Sequence, residues 1–305
     1  MKFSCDKAVL SAAVSNVSRA VTTRTALQAL EGILIRAEGD TLTLTGYDLE
    51  LGITTVIPAA VSEEGSIILG ARLFGEMIRK LEGGEVFVAS DDKLLTEIRG
   101  GGAEFTILGM DAADYPELPG LGDAESLTLP QHALKSMIEQ TQFAISQNDT
   151  KPVHTGSLFD VMPDSVTVVS VDGYRMAVRR ELCDTGLETR FVVPGKTLAE
   201  IAKLLSDEPA GEGEPEKTAS IQVSRQYILT TIGSYSLVSR LLDGEFLDYQ
   251  AAIPQGYTTQ VTVSTRELIA AVDRASLIIS DRLRSPLRLR FEEDSLRITD
   301  RKSVV

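Results

Sequence analysis

The sequence is poor in the side chains that bind metals or carry redox chemistry. Its 305 residues include only two cysteines, Cys5 and Cys183, which are too few for a disulfide framework and lack a C-x-x-C spacing. The only two histidines, His132 and His154, have no H-x-x-x-H or H-E-x-x-H partner. We therefore expect the cysteines to be small buried apolar residues, the histidines to be structural or at the surface, and no metal or other cofactor.

Long apolar runs are also missing. No run approaches the ~18 residues that span a bilayer, and Asp6 lies where a signal peptide would have its apolar segment. We expect a cytoplasmic protein with no membrane partner. The content of 43% hydrophobic and 24% charged residues is that of an ordinary globular protein, and the length favours two or three domains over one.

Positive charge is scarce relative to negative charge. The chain has 30 Lys and Arg against 44 Asp and Glu, which gives a formal net charge of -14. A chain this acidic is a poor first candidate for a nucleic-acid-binding protein, because the phosphate backbone attracts basic surfaces.

What the sequence does contain is an internal repeat. Short alternating strands that begin at Lys2, Ser126 and Gln260 each run into a helix. The helices share an apolar stripe with i, i+3, i+4, i+7 spacing, in which seventeen of eighteen positions are apolar. The stripes begin at Leu10, Leu134 and Leu268 and end at Val21, Ile145 and Ile279. Three matching segments predict three related domains.

The same elements follow each first helix. Hairpins are predicted at 34–45, 158–169 and 287–298, with turns at Gly39-Asp40, Pro163-Asp164 and Glu293-Asp294. Second helices are predicted at Arg72–Leu81 and Thr197–Leu205. Segments rich in Pro and Gly suggest domains at 1–125, 126–257 and 258–305. The predicted fold class is α+β, with tandem repeats of two helices packed on antiparallel sheets and an incomplete third repeat.

The basic residues are concentrated in the predicted helices. The segments 7–30, 71–81, 131–151, 195–205 and 265–290 carry a summed charge of +9, which leaves -23 on the rest of the chain. If rotation relates the repeats, their helices form one neutral to positive layer beside strongly negative sheets. Such a layer suits a phosphate backbone that is bound without sequence preference. For any single helix, a solvated surface is the simpler interpretation.

No constellation of catalytic residues is evident. Asp48 and Asp172 resemble a carboxylate pair, but the repeat places them at matching points of separate domains, where a turn or strand-end hydrogen bond is the better interpretation. Gly100-Gly-Gly indicates a hairpin turn, because no phosphate-binding motif follows it. We predict that the protein is not an enzyme, and a hydrolase that uses Asp48 or Asp172 is the least favoured interpretation.

Five stretches carry a family resemblance. They are the opening Met-Lys-Phe, Leu42-Thr-Leu-Thr-Gly-Tyr-Asp-Leu-Glu, Asp172-Gly-Tyr-Arg-Met-Ala-Val, Phe191-Val-Val-Pro-Gly-Lys and Leu242-Asp-Gly-Glu-Phe-Leu-Asp-Tyr. From Met1 to about Thr299 the chain resembles the beta subunits of bacterial DNA polymerase III, the sliding clamps. The resemblance implies the DNA-clamp fold. It also implies a non-catalytic processivity factor: a ring of two head-to-tail protomers that encircles duplex DNA and tethers the polymerase.

The resemblance also implies two sets of site residues. DNA contacts are implied at Arg24, Arg72, Lys151, Lys196, Arg282 and Arg284. A pocket for short motifs of the polymerase III alpha subunit, the clamp loader and other clamp-binding proteins is implied at His154, Val171, Gly173, Tyr174, Arg175, Met176, Leu247, Ala251 and Ala252. Leu247 stands where the family usually has proline, and Ala251 where arginine is common. Pro152 and Val153 stand where the family often has aromatic residues.

The last six residues do not resemble this family. Asp300-Arg-Lys-Ser-Val-Val is the translation of GAT CGG AAG AGC GTC GTG, a stretch found in sequencing adapters. We expect residues 300–305 to be non-native and the natural chain to continue for about half a domain.

A repeat-built protein-interaction scaffold without DNA binding is the alternative to a DNA clamp. The two hypotheses are separable, because reversing the charges of Arg24 and Arg282 would leave the function of a scaffold intact.

Overall fold

A computed structural model describes residues 1–23, 25–148, 150–209, 211, 213–277, 287–292 and 295–300. The chain divides into two compact units, Met1–Leu247 and Asp248–Val305. The first unit contains the predicted first domain and residues 126–247 of the predicted second domain. The predicted limits of the three domains stay predictions.

In its described residues, the first repeat contains nine strands and two α-helices in the predicted order of strand, helix, hairpin and second helix. Its elements are β1 (Lys2–Asp6), α1 (Lys7–Val17), β2 (Gly32–Glu38), β3 (Thr41–Tyr47), β4 (Leu51–Pro58), β5 (Ala60–Glu63), β6 (Gly65–Gly70), α2 (Ala71–Lys80), β7 (Glu85–Ser90), β8 (Leu95–Gly100) and β9 (Ala103–Leu108).

The second repeat follows the same order. Its elements are β10 (Glu125–Pro130), α3 (Gln131–Glu139), β11 (Gly156–Met162), β12 (Ser165–Val171), β13 (Met176–Leu182), β14 (Thr189–Pro194), α4 (Gly195–Leu204), β15 (Thr218–Val223), β16 (Tyr227–Ile232) and β17 (Tyr235–Arg240).

One sheet is shared by both repeats. Its eight strands lie in the order β10-β15-β16-β17-β4-β3-β2-β6, so the last strand of the second repeat pairs with the fourth strand of the first. The junction between β17 and β4 is antiparallel and runs from Tyr235 opposite Thr55 to Ser239 opposite Leu51. A five-stranded sheet, β5-β1-β7-β8-β9, completes the first repeat, and a four-stranded sheet, β13-β12-β11-β14, completes the second.

The apolar stripes form the buried faces of the first helices. In α1 the stripe residues Leu10, Ala13, Val14 and Val17 are buried, and the Asp6 carboxylate caps the helix by accepting a hydrogen bond from Val9 N (3.0 Å). The stripe predicts a helix to Val21, but α1 ends at Val17 and continues as a 3-10 turn at Ser18–Ala20. Stripe periodicity therefore located the buried face, but not the point where the helix tightens.

The predicted hairpin turns in the first two repeats are confirmed. Gly39 and Gly101-Gly102 have positive φ angles of 56°, 54° and 82°, which glycine adopts without steric cost. Pro163 and Asp164 connect β11 to β12. The predicted turn at Glu293-Asp294 lies outside the described residues.

The second unit contains two helices and a hairpin in its described residues. They are α5 (Tyr249–Ala252), α6 (Thr265–Ser276), β18 (Leu287–Phe291) and β19 (Leu296–Asp300). Ser264 caps α6 by accepting a hydrogen bond from Glu267 N (3.4 Å), and α6 packs on β19. None of the helices in the described part of the chain is long and apolar enough to cross a membrane.

Candidate functional site

Helices of both repeats pack on the shared sheet: α1 on β3 and β4, α2 on β2 and β6, and α3 on β10 and β15. Helix α4 packs mainly on β11 and β14 of the four-stranded sheet. Ile53 of β4 lies directly opposite Leu237 of β17, and residues opposite each other on paired strands point to the same face. Both side chains belong to one buried core, which also includes Leu10 of α1 and Leu134 of α3. Within residues 1–247, α1, α2 and α3 therefore lie on one side of this sheet.

Two of the predicted DNA contacts occupy equivalent places in the two repeats. Arg72 is the second residue of α2, and Lys196 is the second residue of α4. The Arg72 side chain is 89% exposed, and its Nε lies 3.3 Å from Oε1 of Glu76 one turn later. Lys151 is exposed in the loop before a 3-10 turn at Pro152–Thr155. Arg24, Arg282 and Arg284 lie outside the described residues.

Lys196 differs from Arg72 in having a partner from the other repeat. Its Nζ forms an ion pair with Oδ2 of Asp48, whose side chain is only 7% exposed. The two residues are 148 positions apart in the chain. Part of the positive charge of α4 is therefore matched by a buried carboxylate at the repeat junction.

Asp48 and Asp172 each organise a turn, as predicted. Oδ1 of Asp48 accepts hydrogen bonds from Glu50 N (2.9 Å) and Leu51 N (2.7 Å). Oδ1 of Asp172 accepts them from Tyr174 N (3.0 Å) and Arg175 N (3.1 Å). Burial raises the pKa of Asp172, but the hydrogen bonds from Tyr174 and Arg175 outweigh it and hold the pKa below its usual value. The turn therefore keeps its carboxylate ionised at neutral pH.

The turn after β12 also fixes Arg175, one of the predicted pocket residues. Arg175 Nε donates to Oδ2 of Asp172 (2.9 Å), and its Nη2 donates to the carbonyl oxygen of Phe143 (2.8 Å). The guanidinium carbon lies 5.4 Å from the centroid of the Phe143 ring, within the range of a cation–π contact. Tyr174, at the tip of this turn, is almost fully exposed. Four predicted residues, Gly173 to Met176, are thus presented by one turn.

His154 lies close to the end of the first unit. Its ring makes an edge contact with Phe246, with centroids 5.2 Å apart, and Phe246 precedes the exposed Leu247. Ser146 N donates to the His154 carbonyl oxygen (2.9 Å), so the segment that contains Phe143 also holds His154. Burial, and then the Lys151 ammonium group, lower the pKa of His154, so its ring is neutral at pH 7.

The remaining predicted pocket residues belong to both compact units. Val171 is buried at the end of β12. Ala251 and Ala252 are exposed on α5 in the second unit. Phe143 and Phe246 were missed by the sequence analysis. Phe143 lies between stripe positions, and an aromatic residue outside the apolar stripe was the available signal for it.

The cysteines are not placed for chemistry. Cys5 is buried in β1, and burial with the nearby Asp6 and Glu85 carboxylates raises its pKa to about 12. Its thiol is therefore protonated at neutral pH, in agreement with the predicted apolar role. Cys183 is partly exposed, and burial is the main reason that its pKa is raised.

The comparisons define the class of the protein. Family models for the N-terminal and central domains of the DNA polymerase III beta subunit match residues 1–119 and 128–248. The beta sliding clamp of Bacillus subtilis (strain 168) is 34% identical over 288 residues, which cover 91% of this chain and 74% of the relative. That of Staphylococcus aureus (strain Mu50) is 30% identical, over 98% of this chain and 80% of the relative.

Solved structures agree. A DNA polymerase sliding clamp from Bacillus subtilis has a TM-score of 0.87 at 31% identity and covers 98% of this chain and 83% of its own. A DNA polymerase sliding clamp from Caulobacter crescentus has a TM-score of 0.87 at 27% identity and covers 99% of this chain and 81% of its own. The fold is that of a DNA sliding clamp, and the predicted α+β repeat class is confirmed. The chain belongs to the DNA polymerase III beta subunit family, and it is a non-catalytic clamp subunit, as predicted.

Proposed function

We propose that this chain is the protomer of a ring that encircles duplex DNA, slides along it and tethers the replicative polymerase. The observation that carries this proposal is the uneven charge along the sequence: +9 on residues 7–30, 71–81, 131–151, 195–205 and 265–290 against -23 elsewhere. Not all of this charge is helical, because Arg288 and Arg290 lie on β18. Within residues 1–247, helices α1, α2 and α3 of these segments pack on one face of the shared sheet. The positive side attracts phosphates without reading bases, and the negative side repels DNA.

The proposed DNA contacts are weak and lateral. Arg72 and Lys151 are exposed and carry them in the described part of the chain. Arg24, Arg282 and Arg284, which lie outside it, stay predicted contacts, and Lys196 is a predicted contact whose Nζ is engaged by Asp48. A tether gains from weak contacts, because strong ones would hinder sliding.

Topological retention on DNA tests the ring directly. The chain is loaded by a clamp loader onto nicked circular plasmid, isolated by gel filtration and then treated with a nuclease that cuts the plasmid once. We expect retention on the circle and loss from the linear form. Equal loss from both would rule out encirclement.

Salt dependence tests the DNA surface separately from ring closure. Arg72→Gln and Lys151→Gln should each reduce the slope of log K against log salt by about 0.9 for duplex DNA. Lys93→Gln, which removes an exposed charge from the turn before β8, is the matched control and should leave the slope unchanged. If all three variants had the same slope as the unmodified chain, the scaffold without DNA binding would be favoured.

We also propose that the turn at Gly173–Met176, with His154 and Leu247, binds short apolar motifs of the polymerase alpha subunit, the clamp loader and other clamp-binding proteins. The support is the fixed Arg175 head group beside the exposed Phe143 ring, since preorganised groups lose little entropy on binding. Ala251 and Ala252 stay predicted members of this pocket, and the cytoplasmic location and the homodimeric ring also stay proposals.

A further inference from the structure

Equivalent basic residues of the two repeats have different surroundings. Arg72 projects from α2 into solvent, and its ion pair is with Glu76 of the same helix. Lys196, in the same position of α4, instead pairs with Asp48 of the first repeat. The repeat thus supplies an internal comparison: the side chain at this helix position pairs within its own helix in one repeat, where it is 89% exposed, and across the repeat junction in the other, where it is 55% exposed.

A second ion pair crosses the same junction one turn further along α4. Oε2 of Glu200 lies 3.5 Å from Nη1 of Arg19, which follows α1 in the first repeat. The Glu200 side chain is 11% exposed, and its Oε1 also lies 2.7 Å from Lys203 Nζ. Residues four apart lie on the same face of a helix, so Lys196 and Glu200 form one face of α4 that pairs with the first repeat twice, with opposite signs.

Both carboxylate oxygens of Asp48 are used at this junction. Oδ1 holds the turn before β4 through Glu50 N and Leu51 N, and Oδ2 holds Lys196. The carbonyl oxygen of Glu50, in the same turn, accepts a hydrogen bond from Arg240 N (3.0 Å) at the end of β17. Asp48 therefore links the end of the β4–β17 ladder to the start of α4.

We propose that the pairs Asp48–Lys196 and Arg19–Glu200 form a charged clasp that positions the second repeat against the first, and that Lys196 serves this clasp instead of a DNA phosphate. We call these four residues the repeat clasp. Its buried carboxylates, Asp48 and Glu200, come one from each repeat, so a shift of either repeat would separate a buried charge from its partner. The statement about DNA rests on the proposed function, whereas the positioning role does not.

A double-mutant cycle on the 305-residue chain tests the positioning role. Asp48→Asn keeps an oxygen for the turn but removes the charge that faces Lys196, and Lys196→Gln removes the other charge. We expect the two changes to be coupled by about tenfold in the unfolding equilibrium constant, which corresponds to about 1.4 kcal/mol. Lys196→Arg should retain most of the coupling. Additive effects of Asp48→Asn and Lys196→Gln would overturn the proposal.

Hydrogen exchange separates positioning from a general loss of stability. In Asp48→Asn, the amide of Arg240 should exchange about tenfold faster, because it bonds to the turn that Asp48 organises. The amide of Leu229 on β16, which lies between β15 and β17 within the second repeat, should be unchanged. Asp172→Asn alters the equivalent turn of the second repeat and should leave Arg240 unchanged. Equal acceleration at Arg240 and Leu229 would indicate loss of stability without positioning.

The slope of DNA affinity against salt tests the second half of the proposal. Lys196→Gln should leave the slope unchanged, whereas Arg72→Gln should reduce it by about 0.9. A reduction in Lys196→Gln equal to that in Arg72→Gln would make Lys196 a DNA contact and overturn this half. If Arg72→Gln also leaves the slope unchanged, the proposed DNA-binding surface is wrong. The double-mutant cycle would still test whether the repeat clasp positions the second repeat.

Discussion

Asp160 on β11 carries a charge into the interior of the second repeat. Its side chain is only 4% exposed, and it lies opposite Arg190 on β14 in the strand register. Arg190 Nε and Nη2 donate to Oδ1 and Oδ2 of Asp160 at 2.7 and 2.8 Å, which is the two-pronged geometry that guanidinium and carboxylate favour. The buried carboxylate of Asp160 is therefore paired with an arginine that is itself 62% exposed.

Replacing Arg190 should destabilise the chain more than its exposure suggests. Arg190→Leu removes both guanidinium hydrogen bonds from a buried carboxylate, a class of change that costs about 3–5 kcal/mol when both partners are buried. Because Arg190 is largely solvated, we expect about 2 kcal/mol, measured by urea denaturation.

Arg72→Leu is the matched control. It breaks an exposed i,i+4 pair with Glu76, which contributes about 0.3–0.5 kcal/mol. Equal losses of stability in the two variants would show that the burial of Asp160 does not set the energetic cost.

At the scale of elements, α1 approaches β3 closely where the helix ends. A β-carbon at Gly46 would lie 2.3 Å from the carbonyl oxygen of Val17 and 3.0 Å from its Cγ1. Glycine at this position therefore lets the end of α1 lie directly on the strand. The equivalent residue of the second repeat is Ser170, whose hydroxyl oxygen lies 2.7 Å from that of Ser157.

Alanine at Gly46 should therefore push α1 away from β3. We expect Gly46→Ala to lower the free energy of unfolding by about 1–3 kcal/mol, the usual range for overpacking a core. The measurement is the urea midpoint at constant slope.

Gly70→Ala provides the control within the same repeat. Gly70 has a φ of -53°, and its β-carbon would have no atom within 4 Å. We expect a change of less than about 0.5 kcal/mol. A comparable loss in both variants would contradict the packing argument.

Sequence periodicity predicted the elements that depend on local pattern. The apolar stripes placed the buried faces of α1 and α3, and the hairpin turns at Gly39 and Gly101 followed from residue type. The end of α1 at Val17 was not predicted, because the tightening into a 3-10 turn leaves the apolar spacing intact. The pairing of β4 with β17 was not predictable either, since it joins strands about 180 residues apart that carry no complementary local signal.

For the candidate site too, local features were predictable from the sequence and long-range contacts were not. The positions of Gly173 to Met176 followed from family motifs, and the turn at Asp172 followed from its residue type. The contact of Arg175 with Phe143 and the pairing of Lys196 with Asp48 depend on residues 32 and 148 positions apart. Such contacts are set by how the sheets pack, so a linear pattern does not contain them.

At the scale of the whole molecule, the shared sheet joins the first two repeats into one unit. One buried core contains residues of both repeats, and five residue pairs connect β17 to β4. We therefore expect residues 1–247 to unfold in a single cooperative transition, although two separate family domains match this region.

Hydrogen exchange in increasing urea measures this cooperativity. Amides of β2 to β4 and of β15 to β17 should lose protection at the same urea concentration. Peptides from α6 serve as an internal reference from the second unit. Loss of protection in one repeat while the other remains protected would contradict a single unfolding unit.

We expect the junction between β4 and β17 to affect how the first unit responds to mechanical force. Because the two strands are antiparallel and belong to different repeats, a pull that slides one repeat along the strand direction loads all the hydrogen bonds of the ladder at once. A pull across the strands opens them one after another from an end. The Asp48 turn lies at one such end, so the repeat clasp reinforces the place where peeling would start. We therefore expect the β4–β17 junction to resist force along its strands better than force across them.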